Sequence, residues 1–327
     1  MARLTPVSAR EAARIAADFG LTFVGLTEVD GGSVNSNFRL ETAEGAWFLR
    51  VFEEQDADGA ARELALLREL AERGVPTTLP PRRLDGLEVS SIGGKPAAIY
   101  PWFRGEMVCT QAATPARCEQ VAAALAQVHL VSAELPHAPL GRFEPEHLWE
   151  RLARVRRSKR ADLLSAVERA EAALERVEAM RSAELPSGLI HGDLFRDNVL
   201  WQGQRLAALL DFESACHGRF VFDLMVLIHA WCFTHQFELD RVAAVLRGYQ
   251  WVRPLSDAER AALTTEGELA ALRFVCTRLT DYSLRQSALP SGELQPPLRD
   301  FRRFFARLEA LQGAAMQRAL SSESSHA

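Results

Sequence analysis

LIHGDLFRDNVLW at residues 189–201, followed by LLDF at 209–212, is the part of this sequence from which a fold can be inferred. Asp193 and Asn198 stand five residues apart in a predicted loop, and Asp211 follows a short apolar strand. Hard oxygen groups flanked by strand-like apolar residues suit magnesium and phosphate. Phosphoryl transfer asks a protein for a positioned base at the attacking hydroxyl and for divalent ions spread over the phosphate oxygens. An H-x-D-x-x-x-x-N motif followed by D-F supplies those parts in chain order. Asp193 is the candidate base, and Asn198 and Asp211 are the candidate metal ligands. HGD alone would carry little weight, because Asp and Gly mark ordinary turns.

Upstream, residues 30–38 (DGGSVNSNF) lead a Gly/Ser/Asn loop into a strand. Backbone N–H groups there, with Ser33, Asn35 and Ser36, could lie over phosphates. The composition is equally that of a common turn. In the helix predicted over residues 60–73, Glu63 shares a face with Leu66, Leu67 and Leu70. A carboxylate on an apolar face is costly unless paired. The predicted strand at 47–52 offers Arg50, which alternation places on the side of Phe48 and Phe52. An Arg50–Glu63 pair would satisfy both groups and give a cation able to reach nucleotide phosphates. The plainer alternative is a surface arginine and a helix-edge glutamate. Of the 38 basic residues only Lys95 and Lys159 are lysines, and neither falls at that position. Tyr100 and Trp102 flank Pro101 at the start of a predicted hinge and complete the nucleotide-binding candidates.

The rest of the chain bounds the possibilities. Its 327 residues are 48% hydrophobic and 25% charged, which excludes disorder and leaves room for two cores. A formal net charge of −5 disfavours non-specific nucleic-acid binding. Cys109, Cys118, Cys216, Cys232 and Cys276 are odd in number and form no CxxC pair, so free thiols in a reducing compartment are expected rather than zinc. The N-terminus reads as an amphipathic helix capped by Ser8 and ended by Gly20, without a signal-peptide core. The apolar run at 220–233 is too short to span a bilayer and contains Asp223 and His229. A cytoplasmic protein without membrane, nucleic-acid or obligate protein partners is expected. Strands are predicted at 38–40, 47–52, 87–91 and 97–100, then at 199–201 and 206–210 within a mostly helical remainder. The fold class expected is α+β and bilobal. Residues 1–100 form a small β-rich nucleotide-binding lobe, 101–105 a hinge, 106–320 a larger helical lobe, and 321–327 a frayed tail.

At these residues the chain resembles the small-molecule branch of the protein-kinase-like fold, the aminoglycoside phosphotransferase and choline kinase superfamily. Within it the likeness is to homoserine kinases. GGSVNSNFRLET, FLRVFE, LAERGVP, HGDLFRDNVLW, LLDFESACHGRFVFDL, HAWCF, LRGYQWVRPLSDAERAAL and ALRFVCTRLTD carry it, over nearly the whole chain. The resemblance implies ATP bound between two lobes, Mg2+, phosphorylation of L-homoserine, and a place in threonine biosynthesis. It carries Asp193 over as the base and Asn198 and Asp211 as metal ligands, with His191 and Asp223 bracing the catalytic loop. Many relatives place lysine where Arg50 stands, and arginine differs in reach and shape. The segment ESACHG at 213–218 keeps the family's AC but differs on either side of it.

An amino-acid alcohol presents a carboxylate, which suits arginine, and an ammonium, which suits a carboxylate or aromatic face. In a helix predicted over 270–283, Phe274, Arg278 and Asp281 recur at i, i+4 and i+7, so that one face offers both charges beside a ring. Alternatively Arg278 and Asp281 pair with each other. His229 and Trp231 could line the opposite wall, although a tryptophan there equally suits the core. Choline-like, sugar and aminoglycoside acceptors stay open, as does a non-catalytic nucleotide-binding protein. Homoserine leads because no acidic cluster follows the apolar run until Glu238 and Asp240.

Overall fold

In Ser36–Thr42 every second residue is buried, the period that puts one face of a strand on a core. That strand belongs to a five-stranded antiparallel sheet. The structure is a computed structural model, and it describes residues 5–29, 35–132, 135, 140–182, 184–284 and 300–321. In chain order the first elements are α1 (Ala9–Asp18), β1 (Phe23–Glu28), β2 (Ser36–Thr42), β3 (Gly45–Val51), α2 (Ala57–Glu72), β4 (Ser90–Ile92) and β5 (Lys95–Pro101). The sheet order is β1-β2-β3-β5-β4. Ser8 and Glu11 close a reciprocal capping box on α1, satisfying backbone donors that a helix start leaves orphaned. That helix lays Ala12, Ile15 and Ala16 against Phe38, Leu40, Leu49, Val51, Ile92 and Ile99.

The sequence missed β1. It is an edge strand with a bulge between Phe23 and Gly25 and with Val24 exposed, so its alternation is blurred. The strand expected from Leu87 starts only at Ser90, and Leu87 is exposed. Pro101 ends β5, opposite Trp47.

The chain divides into two units: Met1–Glu106 with Leu200–Glu213, and Met107–Val199 with Ser214–Ala327. The return of residues 200–213 to the first unit departs from the expected continuous second lobe, and backbone pairing explains it. Thr77 Oγ1 donates to the Leu209 carbonyl at 2.8 Å, and Glu106 and Trp201 exchange backbone bonds at 2.9 and 3.0 Å.

The second unit begins with α3 (Pro115–Val131), α4 (Pro145–Arg157), α5 (Leu164–Met180) and β6 (Ser187–Ile190). The hairpin of β7 (Val199–Gln202) and β8 (Arg205–Leu209) follows. The chain then continues with β9 (Cys216–Arg219), α6 (Phe220–Trp231), α7 (Leu239–Val252), α8 (Asp257–Thr277), α9 (Arg302–Leu311) and α10 (Ala314–Ser321). β6 pairs antiparallel with β9. Every residue of α6 is buried, as its apolar sequence on all sides requires. Gly248 lets α7 approach α3 closely, since a Cβ there would collide with the Glu119 carbonyl. Beyond Thr277 the helix changes to a π turn over Arg278–Ser283. Among the described residues no helix is long and apolar enough to cross a membrane.

Candidate active site

In the second unit, β6 delivers the chain into His191, Gly192 and Asp193. Gly192 adopts φ +74°, a conformation that favours glycine, and a Cβ there would lie 2.6 Å from the Phe143 ring and 3.1 Å from the Ser214 carbonyl. Asp223, fully buried on α6, accepts the His191 N–H at 2.7 Å and the Gly192 N–H at 2.8 Å. His129 Nε2 lies 3.1 Å from the same carboxylate, and its Nδ1 lies 2.7 Å from the Tyr249 hydroxyl. Burial alone would raise the Asp223 pKa; the His129 hydrogen bond and the backbone donors outweigh it and hold the carboxyl below its ordinary value. Burial likewise pulls His129 down, so a neutral imidazole bridges tyrosine and aspartate.

His191 itself is buried, and its Nδ1 accepts the Asp193 N–H at 3.3 Å. Asn198 Nδ2 donates to the Asp193 carbonyl at 2.8 Å, closing the loop on itself and fixing the amide so that Oδ1 is its remaining acceptor. The back of this loop is also tied to α6: Trp231 Nε1 donates to the Leu194 carbonyl at 3.1 Å, and Arg196 donates to the Ala230 carbonyl. The Asp193 carboxylate, about a third exposed, faces Arg273 of α8 at 3.1 Å.

The first unit holds Asp211 and its surroundings. Asp211 is one of two described non-glycine residues with positive φ, at +63°, a conformation of the kind found at functional sites. Arg50 Nη1 lies 3.4 Å from its carboxylate and 3.9 Å from Glu63, while Arg50 Nε donates to Asn37 Oδ1 at 3.4 Å. Burial alone would lower the Arg50 pKa, but Asp211 and Glu63 raise it above its ordinary value. Glu63 also accepts from Gln55 Nε2 at 2.8 Å. Tyr100 is buried with a hydroxyl that has no partner among the described residues, and burial pushes its pKa up. Trp102 is half-buried, with Arg39 over its ring at 4.9 Å.

Several of the residues expected to touch ligands have partners within the chain. Asn35 and Ser36 are buried and hold Glu53: Asn35 Oδ1 accepts its N–H at 3.2 Å, and the Ser36 hydroxyl donates to its carboxylate. Ser33 lies outside the described residues. His229 and Trp231 are both 0% exposed, packed in α6 without reaching a surface a substrate could touch. His229 Nε2 lies 2.8 Å from the Gly267 carbonyl, and burial lowers its pKa to about 3. Phe274 is buried, edge-on to Phe195 of the loop after β6 at 5.0 Å and stacked on Phe304. Among the described residues no ion pair joins Arg278 to Asp281. Where α8 gives way to the π turn, Arg278 donates to the Asp300 carbonyl at 2.7 Å and Asp281 pairs with Arg151 at 3.1 Å. The sequence reading missed Arg273; its spacing to the loop is long and no local motif marks it.

A profile of the phosphotransferase enzyme family matches residues 25–255. The homoserine kinase of Nitrobacter winogradskyi is 36% identical over 307 residues, 91% of this chain and 90% of that protein. This chain belongs to the phosphotransferase enzyme family. The homoserine kinase of Brucella ovis is 38% identical over 257 residues, 77% of each chain. Among solved structures, an amicoumacin kinase in complex with AMP-PNP and Ca2+ gives a TM-score of 0.68 at 15% identity, over 96% of this chain and 93% of that one. A spectinomycin phosphotransferase bound to ADP and spectinomycin gives 0.64 at 14% identity, over 97% and 98%. At those identities the likeness is one of fold, and the fold of this phosphotransferase is protein-kinase-like and α+β.

Proposed function

We propose that this phosphotransferase moves the γ-phosphate of ATP to the hydroxyl of L-homoserine. The observation that carries the reading is the identity of 36–38%, over most of the chain, to proteins named as homoserine kinases. The loop geometry supports it. Asp193 sits on a segment fixed by Asp223, His191 and Asn198, with its carboxylate partly open. In this reading the Asp193 carboxylate takes the hydroxyl proton as the new O–P bond forms and the bond from the γ-phosphorus to the leaving ADP oxygen breaks.

Asn198 and Asp211 are the residues that would hold Mg2+. The donor set fits that ion: an amide oxygen left as acceptor by the bond from Nδ2, and a carboxylate on a strained backbone. Magnesium is usually held by one or two carboxylates together with phosphates, not by an all-protein cage. When bound, the ion neutralises charge on the transferring phosphate oxygens. Arg50, set by Glu63 and Asp211, is the cation assigned to the nucleotide phosphates, with Tyr100 and Trp102 beside the base. A cytoplasmic setting is part of the same proposal, since the five cysteines are free thiols.

The test is ADP release by the purified protein with L-homoserine, choline, ethanolamine, sugars and aminoglycosides, with and without Mg2+. Magnesium-dependent turnover on homoserine at a kcat/KM at least tenfold above any other acceptor is expected. Turnover confined to another acceptor would overturn the assignment.

A further inference from the structure

Arg273 is a buried cation on α8 that the motif does not explain. Its guanidinium carbon lies 3.9 Å from the centre of the Phe274 ring and 4.4 Å from that of Phe143, so two aromatic faces cover it. Nη1 reaches Asp193 at 3.1 Å. Nε is buried and has no hydrogen-bond partner among the described residues. The neighbouring arginines differ in this respect: Arg151 is engaged by Thr280 and Asp281, and Arg278 by the Asp300 carbonyl.

A buried, unpaired N–H donor on a charged group costs free energy comparable to a lost charge-assisted hydrogen bond. The two rings pack against the guanidinium and offer Nε no hydrogen-bond acceptor. A planar carboxylate is the acceptor that best matches the guanidinium fork. The field favours an anion as well. Burial draws the Arg273 pKa below its ordinary value against the pull of Asp193, and Arg142 and Arg151 lower it further, so they lie close enough to add positive potential.

We propose that the Nε edge of Arg273 receives the carboxylate of the acceptor. Arg273 thereby selects an amino-acid alcohol over an amino alcohol without a carboxylate, and brings its hydroxyl to Asp193. The inference rests on the homoserine reading above and deepens it: it names the residue that recognises the acidic end of that substrate. A cationic alcohol placed there would meet arginines and leave Nε unpaired, which weakens it relative to homoserine.

The experiment compares L-homoserine with 3-aminopropan-1-ol, its decarboxylated counterpart, in wild type and in Arg273→Gln and Arg273→Lys at saturating ATP. The wild-type preference for homoserine in kcat/KM is expected to fall about 100-fold in Arg273→Gln, mostly through KM, the range seen on truncating a buried charged partner. Arg273→Lys, which keeps the charge and loses the fork, should recover part of that preference. A preference unchanged within twofold, with both rates reduced together, would mean that Arg273 acts only through Asp193 and would overturn the proposal. A measurement on the wild type covers the case in which the variants do not fold. 2-Aminobutyrate, which has the carboxylate and no hydroxyl, should compete with homoserine, and propylamine should not. Equal inhibition by the two, or none by 2-aminobutyrate, overturns the proposal. Homoserine turnover with unmoved selectivity removes only the Arg273 assignment, whereas wild-type turnover limited to acceptors without a carboxylate removes the homoserine reading as well.

Discussion

Arg50 in the first unit, partly buried, and Arg273 in the second, buried, are both arginines paired with an aspartate of the phosphotransferase motif, and they differ in how completely the chain satisfies them. Arg50 distributes its donors over Asp211, Glu63 and Asn37. Arg273 has Asp193 and two aromatic faces, with Nε left over. A cation surrounded by the chain's own acceptors fixes side chains relative to one another. A cation with an unmet donor has capacity for a ligand. The same residue type in the same kind of pair therefore serves two purposes, and the count of internal partners separates them.

Removing the shared carboxylates gives the largest effects. Asp193→Asn takes away the proposed base and leaves Arg273 without its counter-charge; turnover with homoserine should fall about 1,000-fold, within the usual span for general-base loss, measured as ADP release. Full activity would take the base role away from Asp193. Asp211→Ala should cost about 100-fold and raise the Mg2+ concentration needed for half-maximal rate, because it removes a proposed ligand to an ion that stabilises transition-state charge. An unmoved Mg2+ titration would end that assignment. Arg50→Ala is expected to raise the KM for ATP about tenfold. It should also destabilise the fold by about 1–2 kcal/mol, a discounted figure because Asp211 is partly exposed and solvent screens it once Arg50 is gone. If the KM for ATP is unchanged while stability drops, Arg50 is structural alone, and the contrast with Arg273 becomes sharper.

The sequence disclosed these two arginines unequally, for physical reasons. Arg50 stands on an alternating strand, and Glu63 interrupts an apolar helix face, so a pairing could be inferred from periodicity. The loop residues follow from a fixed spacing, and the sheet from alternation in β2 and β3. Around Arg273 nearly every residue of α8 is buried, polar ones such as Glu266 and Glu268 included, so no face of the helix announces itself. The same uniform burial of α6 is why His229 and Trp231 looked like a pocket wall and are core. The i, i+4, i+7 pattern of Phe274, Arg278 and Asp281 assumed an α-helix that becomes a π turn at Arg278. Periodicity carries information only where an element has two different faces and a constant pitch.

His229 provides the smallest test and a third way to treat a buried cationic side chain: it is held neutral. Burial is the main cause of its pKa of about 3, against an opposing hydrogen bond with the Gly267 carbonyl. The unfolded chain binds this proton near pH 6.5. Below that pH the unfolded state gains a proton that the folded state refuses, so stability is lost as pH falls from about 6.5 towards 3, at up to about 1.4 kcal/mol per unit from this one group. In His229→Gln the amide can still meet the Gly267 carbonyl and does not titrate. Urea unfolding between pH 6 and 4.5 should therefore show a shallower slope than wild type by about that amount. The preference for homoserine over 3-aminopropan-1-ol should not move, because a fully buried ring touches no substrate. An equal slope in the two proteins would mean that His229 takes up its proton in the folded state. A changed acceptor preference would return it to the substrate wall and weaken the case that Arg273 alone reads the carboxylate.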